Sequence, residues 1–252
     1  MYGRAVRPPP LPHQIDILER VLERVAAFDP ITMRAPMVVF DLDATLFDNR
    51  PRTLQILMEY AGEVAAEFPD VADALGALTI ENVAYLLSDT LRVVGLTHGD
   101  VVSDITTYWR DRFFTDDYLR FDTPVDGAAD YVNACHAAGA TIVYMTGRDI
   151  PGMLPGTVAS LRDSGFPIGL GGVEMVLKPD ATMPDEAFKR NALPTLRRSG
   201  EVVAFFDNEP ANCNLAQLGY PDSIVVLVDT QRVPGAPDPD AGVEPISDFR
   251  TH

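Results

Sequence analysis

Lysine is nearly absent: of the 20 basic residues only Lys178 and Lys189 are lysines. Any chemistry that needs an ammonium group therefore has two candidates. Cysteine occurs twice, at Cys135 and Cys213. That is too few for a disulfide framework, and with only His136 nearby a zinc site is not expected. No run of about 18 apolar residues is present, so no membrane span is expected. The opening MYGRAVRPPPLPHQ has no apolar run behind its basic residues and does not read as a secretory signal. Positive charge is scarce, with 20 basic against 37 acidic residues and a net charge of -17. Such a chain repels nucleic-acid backbones and anionic membranes unless a local basic patch intervenes, and none is visible. Also missing are a Gly-x-Ser-x-Gly elbow, a Gly-x-Gly-x-x-Gly turn and a Walker lysine loop. The four histidines match no catalytic arrangement. The expectation is a soluble, cytoplasmic protein in a reducing compartment.

What is present is a core-forming composition, 46% hydrophobic over 252 residues, enough for one large domain or a core carrying an insertion. Residues 1–13 hold four prolines and read as a loose arm. Ile15, Leu18, Leu22 and Val25 recur at helical spacing across 14–28, a helix ended by Asp29-Pro30. Short apolar runs at 37–40, 141–145, 173–177, 202–206 and 224–228 read as buried parallel strands. Helical segments at 125–138, 154–164, 185–198 and 210–218 separate the later ones, with Gly139, Gly165, Gly200 and Gly219 as their stops. This alternation predicts an α/β protein, a parallel sheet with helices on both faces. Residues 49–123 interrupt it. Leu54, Ile56, Leu57 and Tyr60, then Val83 to Val94, then Ile105, Trp109 and Phe113 predict an all-helical insertion. The division is 1–48 and 124–252 for the core and 49–123 for the insertion. The tail, 231–252, is rich in Pro, Asp and Gly and reads as mostly irregular.

In open α/β sheets the working residues lie just past the carboxyl ends of strands. Those positions hold Asp41-Leu42-Asp43-Ala44-Thr45, Thr146-Gly147-Arg148 and Asp207-Asn208-Glu209, while Lys189 opens the helix before the fourth strand. Each alone reads as a turn or cap residue. Together they form a phosphoryl-transfer set. Carboxylate oxygens suit Mg²⁺, which keeps its waters and takes few protein ligands, and a lysine offers a point charge for non-bridging oxygens.

The stretch from Phe40 to Phe47 closely resembles the first motif of the haloacid dehalogenase superfamily, Asp-x-Asp-x-Thr on an apolar strand. Met145 to Arg148 resembles the second, Lys189 the third, and Phe206 to Glu209 the acidic fourth, in the right order across 36–230. The insertion resembles that family's class I cap. The resemblance implies a Rossmann-like sheet of order 5-4-1-2-3. It implies Asp41 as nucleophile and Asp43 as general acid/base. Mg²⁺ would be held by Asp41, the carbonyl of Asp43 and Asp207. Thr146, Gly147, Arg148 and Lys189 would face the phosphoryl group. It further implies a small phosphorylated metabolite as partner. Dehalogenases and phosphonatases lack the second aspartate, so Asp43 argues for a phosphatase or phosphotransferase.

Several points stay open. Asn208, Glu209 or Asn212 could complete the metal site, and Mn²⁺ could serve in place of Mg²⁺. Lys178 precedes Pro179 as in some family members. Lys189 is preferred, because the stretch from Phe188 to Arg190 also resembles the phosphatase domains of polynucleotide kinases. Arg148 reads either as a surface residue paired with Asp149 or as a substrate contact. Tyr108, Trp109, Phe113 and Phe114 read as packing within the insertion rather than as a stacking platform. Besides a phosphomonoester hydrolase, three further readings are a phosphotransferase or phosphosugar mutase, a non-catalytic binding protein of the same fold, and a polynucleotide end-processing phosphatase, the last opposed by the charge. Substrate and oligomeric state are not readable.

Overall fold

A computed structural model describes residues 9–29, 31 and 33–251. Along the chain run α1 (Pro12–Ala26), β1 (Pro36–Phe40), β2 (Phe47–Asp48), α2 (Arg50–Val64), α3 (Pro69–Gly76), α4 (Leu87–Val93), α5 (Gly99–Phe113) and β3 (Thr123–Pro124). There follow α6 (Ala128–Ala137), β4 (Thr141–Asp149), α7 (Ile150–Asp163), β5 (Val173–Lys178), α8 (Asp185–Ala192), β6 (Glu201–Asp207), α9 (Pro210–Gly219), β7 (Ile224–Val228) and β8 (Val243–Ile246). Most of the proline-rich arm lies outside the described residues, and Pro12 and His13 already belong to α1. Pro30 and His252 also lie outside them.

β1 shows why the sheet is central. Val38 and Phe40 enter one apolar core with Leu18 of α1 and Val132 of α6. Met37 and Val39 enter the opposite core with Phe188 of α8 and Ala216 of α9. A strand apolar on both faces requires cover on both. The six strands run parallel in the order β5-β4-β1-β6-β7-β8. Numbering the five predicted strands in sequence, this is the expected 5-4-1-2-3 order, extended by one strand.

That extra strand corrects the reading of the tail. Val243 to Ile246 pairs with β7 from Val225 to Val228. The turn-rich composition hid it, yet Val243 and Ile246 are buried, and an edge strand tolerates Pro245, whose missing N–H removes no central ladder bond.

Other boundaries move for local reasons. Gly139 and Gly165 follow α6 and α7 with left-handed backbone, as helix ends prefer. Gly200 serves a different end: a Cβ there would lie 2.5 Å from the Ala35 carbonyl oxygen, so glycine lets the start of β6 approach the chain before β1. Gly219 is the last residue of α9 and has no left-handed backbone. α7 begins four residues before the predicted start, because the Asp149 carboxylate accepts from the Gly152 N–H at 2.8 Å and caps it. After Ala192 the chain tightens into a 3₁₀ turn, Leu193–Arg198, where Pro194 cannot continue an α-helix.

The segment between β2 and β3 is helical, as expected. β2 and β3 pair antiparallel, Phe47 with Pro124 and Asp48 with Thr123, so the chain leaves the core and returns at adjacent points. Within the segment Leu57, Tyr60, Leu75, Leu91 and Ile105 form a separate apolar core. α3 was not foreseen, since Leu75 is its only buried residue and offers no periodicity.

Candidate functional site

Asp41 is the first residue beyond β1. Its N–H continues the ladder to the Phe206 carbonyl at 2.9 Å, which points it off the carboxyl end of the sheet. The next turn carries Ala44 at φ 59, the only left-handed non-glycine among the described residues. An alanine in that region is uncommon and strained. The strain is held by Ala44 N–H donating to the Phe47 carbonyl at 2.7 Å and by the Thr230 hydroxyl donating to the Ala44 carbonyl. The turn folds Thr45 back under Asp41, where its hydroxyl donates to Asp41 Oδ2 at 3.2 Å.

Lys189 joins two strand ends. Its Nζ donates to Asp41 Oδ1 at 2.7 Å and to Asp207 Oδ2 at 2.6 Å, all three side chains being buried. Lys189 lies in the last turn of α8, not the first, and there the helix dipole favours a cation. Burial disfavours its charge, but the carboxylates of Asp207 and Asp41 outweigh this and raise its pKa. For Asp41 burial is the dominant effect and raises the pKa; Lys189 pulls it down and Asp207 pushes it up. Lys178 is placed elsewhere on the cleft, bound to Asp185 at 2.7 Å and to the Met183 carbonyl at 3.2 Å.

Asp43 is held differently. Arg148 donates to it through Nε at 2.8 Å and Nη2 at 3.1 Å, and Arg52 of α2 through Nη2 at 2.6 Å. Both guanidiniums also bind Asp122, which stands just before β3. Burial alone would raise the Asp43 pKa, but the charges of Arg148 and Arg52 overcome it and hold the carboxyl well below the usual carboxylate range. The surface pairing of Arg148 with Asp149 is thereby overturned: Arg148 is buried, and Asp149 caps α7. The register of β4 on β5 slips between Thr146 and Asp149, so Gly147 and Arg148 leave the ladder, and this is what turns Arg148 toward Asp43. Thr146 is fully buried, and its hydroxyl accepts from the Arg148 N–H at 3.2 Å.

The residues after Asp207 have protein partners. Asn212 Nδ2 braces both Asp207 oxygens at 3.1 and 3.2 Å. Asn208 Oδ1 lies 3.2 Å from the Thr45 hydroxyl, sharing its one proton with Asp41, and Asn208 Nδ2 donates to the Gln231 carbonyl at 2.6 Å. Glu209 accepts from the Val233 N–H at 2.9 Å and faces the Tyr85 hydroxyl from the insertion.

These groups border a cleft of about 900 Å³ between the sheet's carboxyl edge and the insertion. Asp41, Asp43, Gly147, Arg148 and Lys189 lie on its core side. Trp109, Phe113 and Phe114 face it from α5 and the residue after. Here the expectation of pure packing is corrected. Tyr108 and Trp109 do pack against the insertion's core, Tyr108 edge-on to Tyr60 at 5.1 Å, but Trp109 also lines the cleft, and with Phe113 and Phe114 it forms a cleft wall. Sequence reasoning also missed Arg52, Asp122 and Tyr85. An arginine in a helix's first turn and an aspartate before Thr-Pro look like ordinary surface residues, and no single-sequence signal marks them.

The donor set suits a hard cation. Two buried carboxylates converge on one ammonium, leaving a surplus negative charge, and oxygen donors of this kind are what Mg²⁺ takes. Among the described residues no three Asp, Glu, His or Cys side chains gather around one point to hold a metal. Asp41 and Asp207, whose oxygens converge on Lys189, are the side chains that could hold an ion here. Among the described residues no helix is long and apolar enough to cross a membrane, and Cys135 and Cys213 are free and buried.

No protein-family model and no curated protein sequence matches the chain. Solved structures do resemble it. A candidate phosphatase from Clostridium difficile superposes with a TM-score of 0.52, covering 79% of this chain and 86% of that one at 13% identity. Protein tyrosine kinase A of Mycobacterium tuberculosis superposes at 0.51, covering 85% and 94% at 18% identity. A candidate haloacid dehalogenase-like hydrolase from Bacteroides fragilis aligns at 0.46, covering 80% and 90% at 11% identity. At such identities the likeness is one of fold.

Proposed function

We propose, from the parallel sheet order, the fold likeness to a candidate phosphatase and the resemblance of the strand-end motifs to the haloacid dehalogenase superfamily, that the chain is a Mg²⁺-dependent phosphomonoester hydrolase acting on a small organic phosphate. The observation that carries the reading is Lys189 Nζ seated between Asp41 Oδ1 and Asp207 Oδ2, 2.7 and 2.6 Å away, beside Asp43 on one cleft. Buried charges with shifted pKa values that converge at a cleft are the pattern in which reacting groups cluster.

In this reading an Asp41 carboxylate oxygen attacks phosphorus, the bond from phosphorus to the ester oxygen breaks, and an aspartyl-phosphate forms. The departing oxygen takes a proton from Asp43. Water then attacks the phosphorus and gives its proton to Asp43. The bond from phosphorus to Asp41 breaks, releasing inorganic phosphate and restoring the carboxylate. Lys189 neutralises Asp41 and meets the non-bridging oxygens, with Gly147 also on the cleft, while Thr146, buried with its hydroxyl held by the Arg148 N–H, supports that strand end from beneath. A bound Mg²⁺ would offset the repulsion between Asp41 and the incoming phosphate. Asp43 must carry a proton to act as acid, and the two guanidiniums favour its ionised form. One of them has to withdraw first, and Arg52, on the insertion, is the one that a movement of the helical cap would carry off.

The test is phosphate release from a panel of alkyl and aryl monophosphates with Mg²⁺ or Mn²⁺, with EDTA, and with Asp41→Asn. Metal-dependent release that falls at least about 10³-fold in Asp41→Asn is expected. Release that survives the substitution, or none from any ester with either metal, would overturn the reading.

A further inference from the structure

The aromatic wall of the cleft goes beyond what phosphoryl transfer requires. The rings of Trp109 and Phe113 stack with centroids 4.4 Å apart. Phe114 stands edge-on to both, at 5.9 and 5.0 Å. The wall is braced by two neighbours that also line the cleft. The Trp109 Nε1–H donates to Thr53 Oγ1 at 3.2 Å, and the Arg52 guanidinium lies 4.2 Å from the Phe113 ring centre. Phe114 is nevertheless 47% exposed. From the other side of the insertion Tyr85 and Leu86 reach the same cleft, 46% and 41% exposed. Apolar side chains left in contact with water inside a concave, charged-floored cleft are the ordinary mark of a ligand surface rather than of unfinished packing.

The proportions agree. About 900 Å³ stands near the upper end of small-molecule sites, which run to roughly 1,000 Å³. A phosphate with a short aliphatic leaving group would occupy the charged floor and leave the wall wet. A flat ring attached to the ester oxygen would extend from the floor along it, and aromatic faces prefer offset or edge-on partners of the kind these rings offer.

We infer that the leaving alcohol of the substrate carries a planar aromatic ring that packs against Trp109, Phe113 and Phe114, so that the substrate class is a ring-bearing monophosphate ester. This rests on the phosphatase reading for the position of the phosphoryl group, but its test does not depend on turnover. Trp109 is the chain's only tryptophan, so its fluorescence reports on the wall itself. Phenyl phosphate and propyl phosphate are titrated against Asp41→Asn with Mg²⁺ present, by calorimetry and by Trp109 emission. Phenyl phosphate is expected to bind at least about tenfold tighter and to change the emission, while propyl phosphate leaves it unaltered. In the double variants carrying Phe114→Leu or Trp109→Leu, folding being checked by circular dichroism, the preference should shrink about 3- to 10-fold toward unity. Phe114→Leu changes an exposed residue and guards against misfolding of the other. Phenyl phosphate binding no tighter than propyl phosphate, including binding of neither, would overturn the inference. A retained phenyl preference in a protein that releases no phosphate from any ester would instead overturn the phosphatase reading and leave the wall as a binding surface for ring-bearing phosphate esters, with no leaving alcohol to assign.

Discussion

Arg52 grips Asp43 from inside the helical insertion, Nη2 donating to Oδ1 at 2.6 Å. The same guanidinium holds Asp122, through Nε at 2.8 Å and Nη2 at 2.6 Å, and its Nη1 donates to the Phe113 carbonyl at 3.0 Å. One side chain thus ties the first helix of the insertion to the last, to the point where the chain returns to the core, and to the turn after β1. Arg148 supplies the matching bonds from β4. Two arginines and two aspartates balance in charge, which is the condition under which a buried ionic group is tolerable.

Removing one member breaks the balance. Arg52→Ala leaves the fully buried Asp122 side chain with a single guanidinium. Losing one partner of a buried pair costs about 3–5 kcal/mol, and urea denaturation at neutral pH should show a loss of that size. Arg52→Lys should recover only a small part, since an ammonium cannot reproduce the fork that spans Asp43 and Asp122. A loss under about 1 kcal/mol would mean that the quartet does not anchor the insertion.

The quartet also marks where sequence reading stops. The apolar run 37–40 and the aspartate behind it were legible because a strand buried on both faces leaves no polar alternation to confuse it. Asp41, Asp43, Lys189 and Asp207 were legible because each stands at a strand end or in the helix that crosses it. Arg52 and Asp122 are 70 residues apart in sequence, and only the closing of the insertion brings them together. Their polarity reads as solvation until the fold removes the solvent. Phe114 failed in the opposite sense: an aromatic run reads as core, and which of its faces stays wet depends on a cleft formed by distant elements. β8 was hidden by Pro245 in its interior, a place that an edge strand tolerates and a central strand does not.

Asp41 gives the metal-free protein a predictable pH dependence. Burial raises its folded pKa, with Lys189 opposing and Asp207 adding to the rise. A folded pKa above the unfolded value of about 3.9 means that the group's favourable contribution is present at low pH and is lost as pH rises through the raised value. Asp41→Asn does not titrate. In EDTA, the melting temperature of Asp41→Asn minus that of the parent should therefore grow steadily from about pH 4.5 to about pH 8. Taking the difference cancels titrations the two proteins share. A difference that falls over that range would show that Lys189 outweighs burial at Asp41.

The two lysines should separate cleanly. Lys189 touches both buried carboxylates, whereas Lys178 binds Asp185, whose side chain is 65% exposed. Loss of a preorganised charge at a reacting centre costs about 10²–10³-fold in kcat, so Lys189→Met should fall at least that far and Lys178→Met less than about tenfold. Stability provides a second readout. Lys189→Met leaves Asp41 and Asp207 facing each other with no cation, which destabilises the metal-free protein. A divalent ion held by those same carboxylates would then replace the missing charge, and because it binds only the folded form it stabilises by mass action. Mg²⁺ should accordingly raise the melting temperature of Lys189→Met by more than it raises that of the parent, while Lys178→Met should respond like the parent. An equal Mg²⁺ response in all three proteins would mean that the ion does not sit between Asp41 and Asp207, and the donor set would have to be sought elsewhere on the cleft.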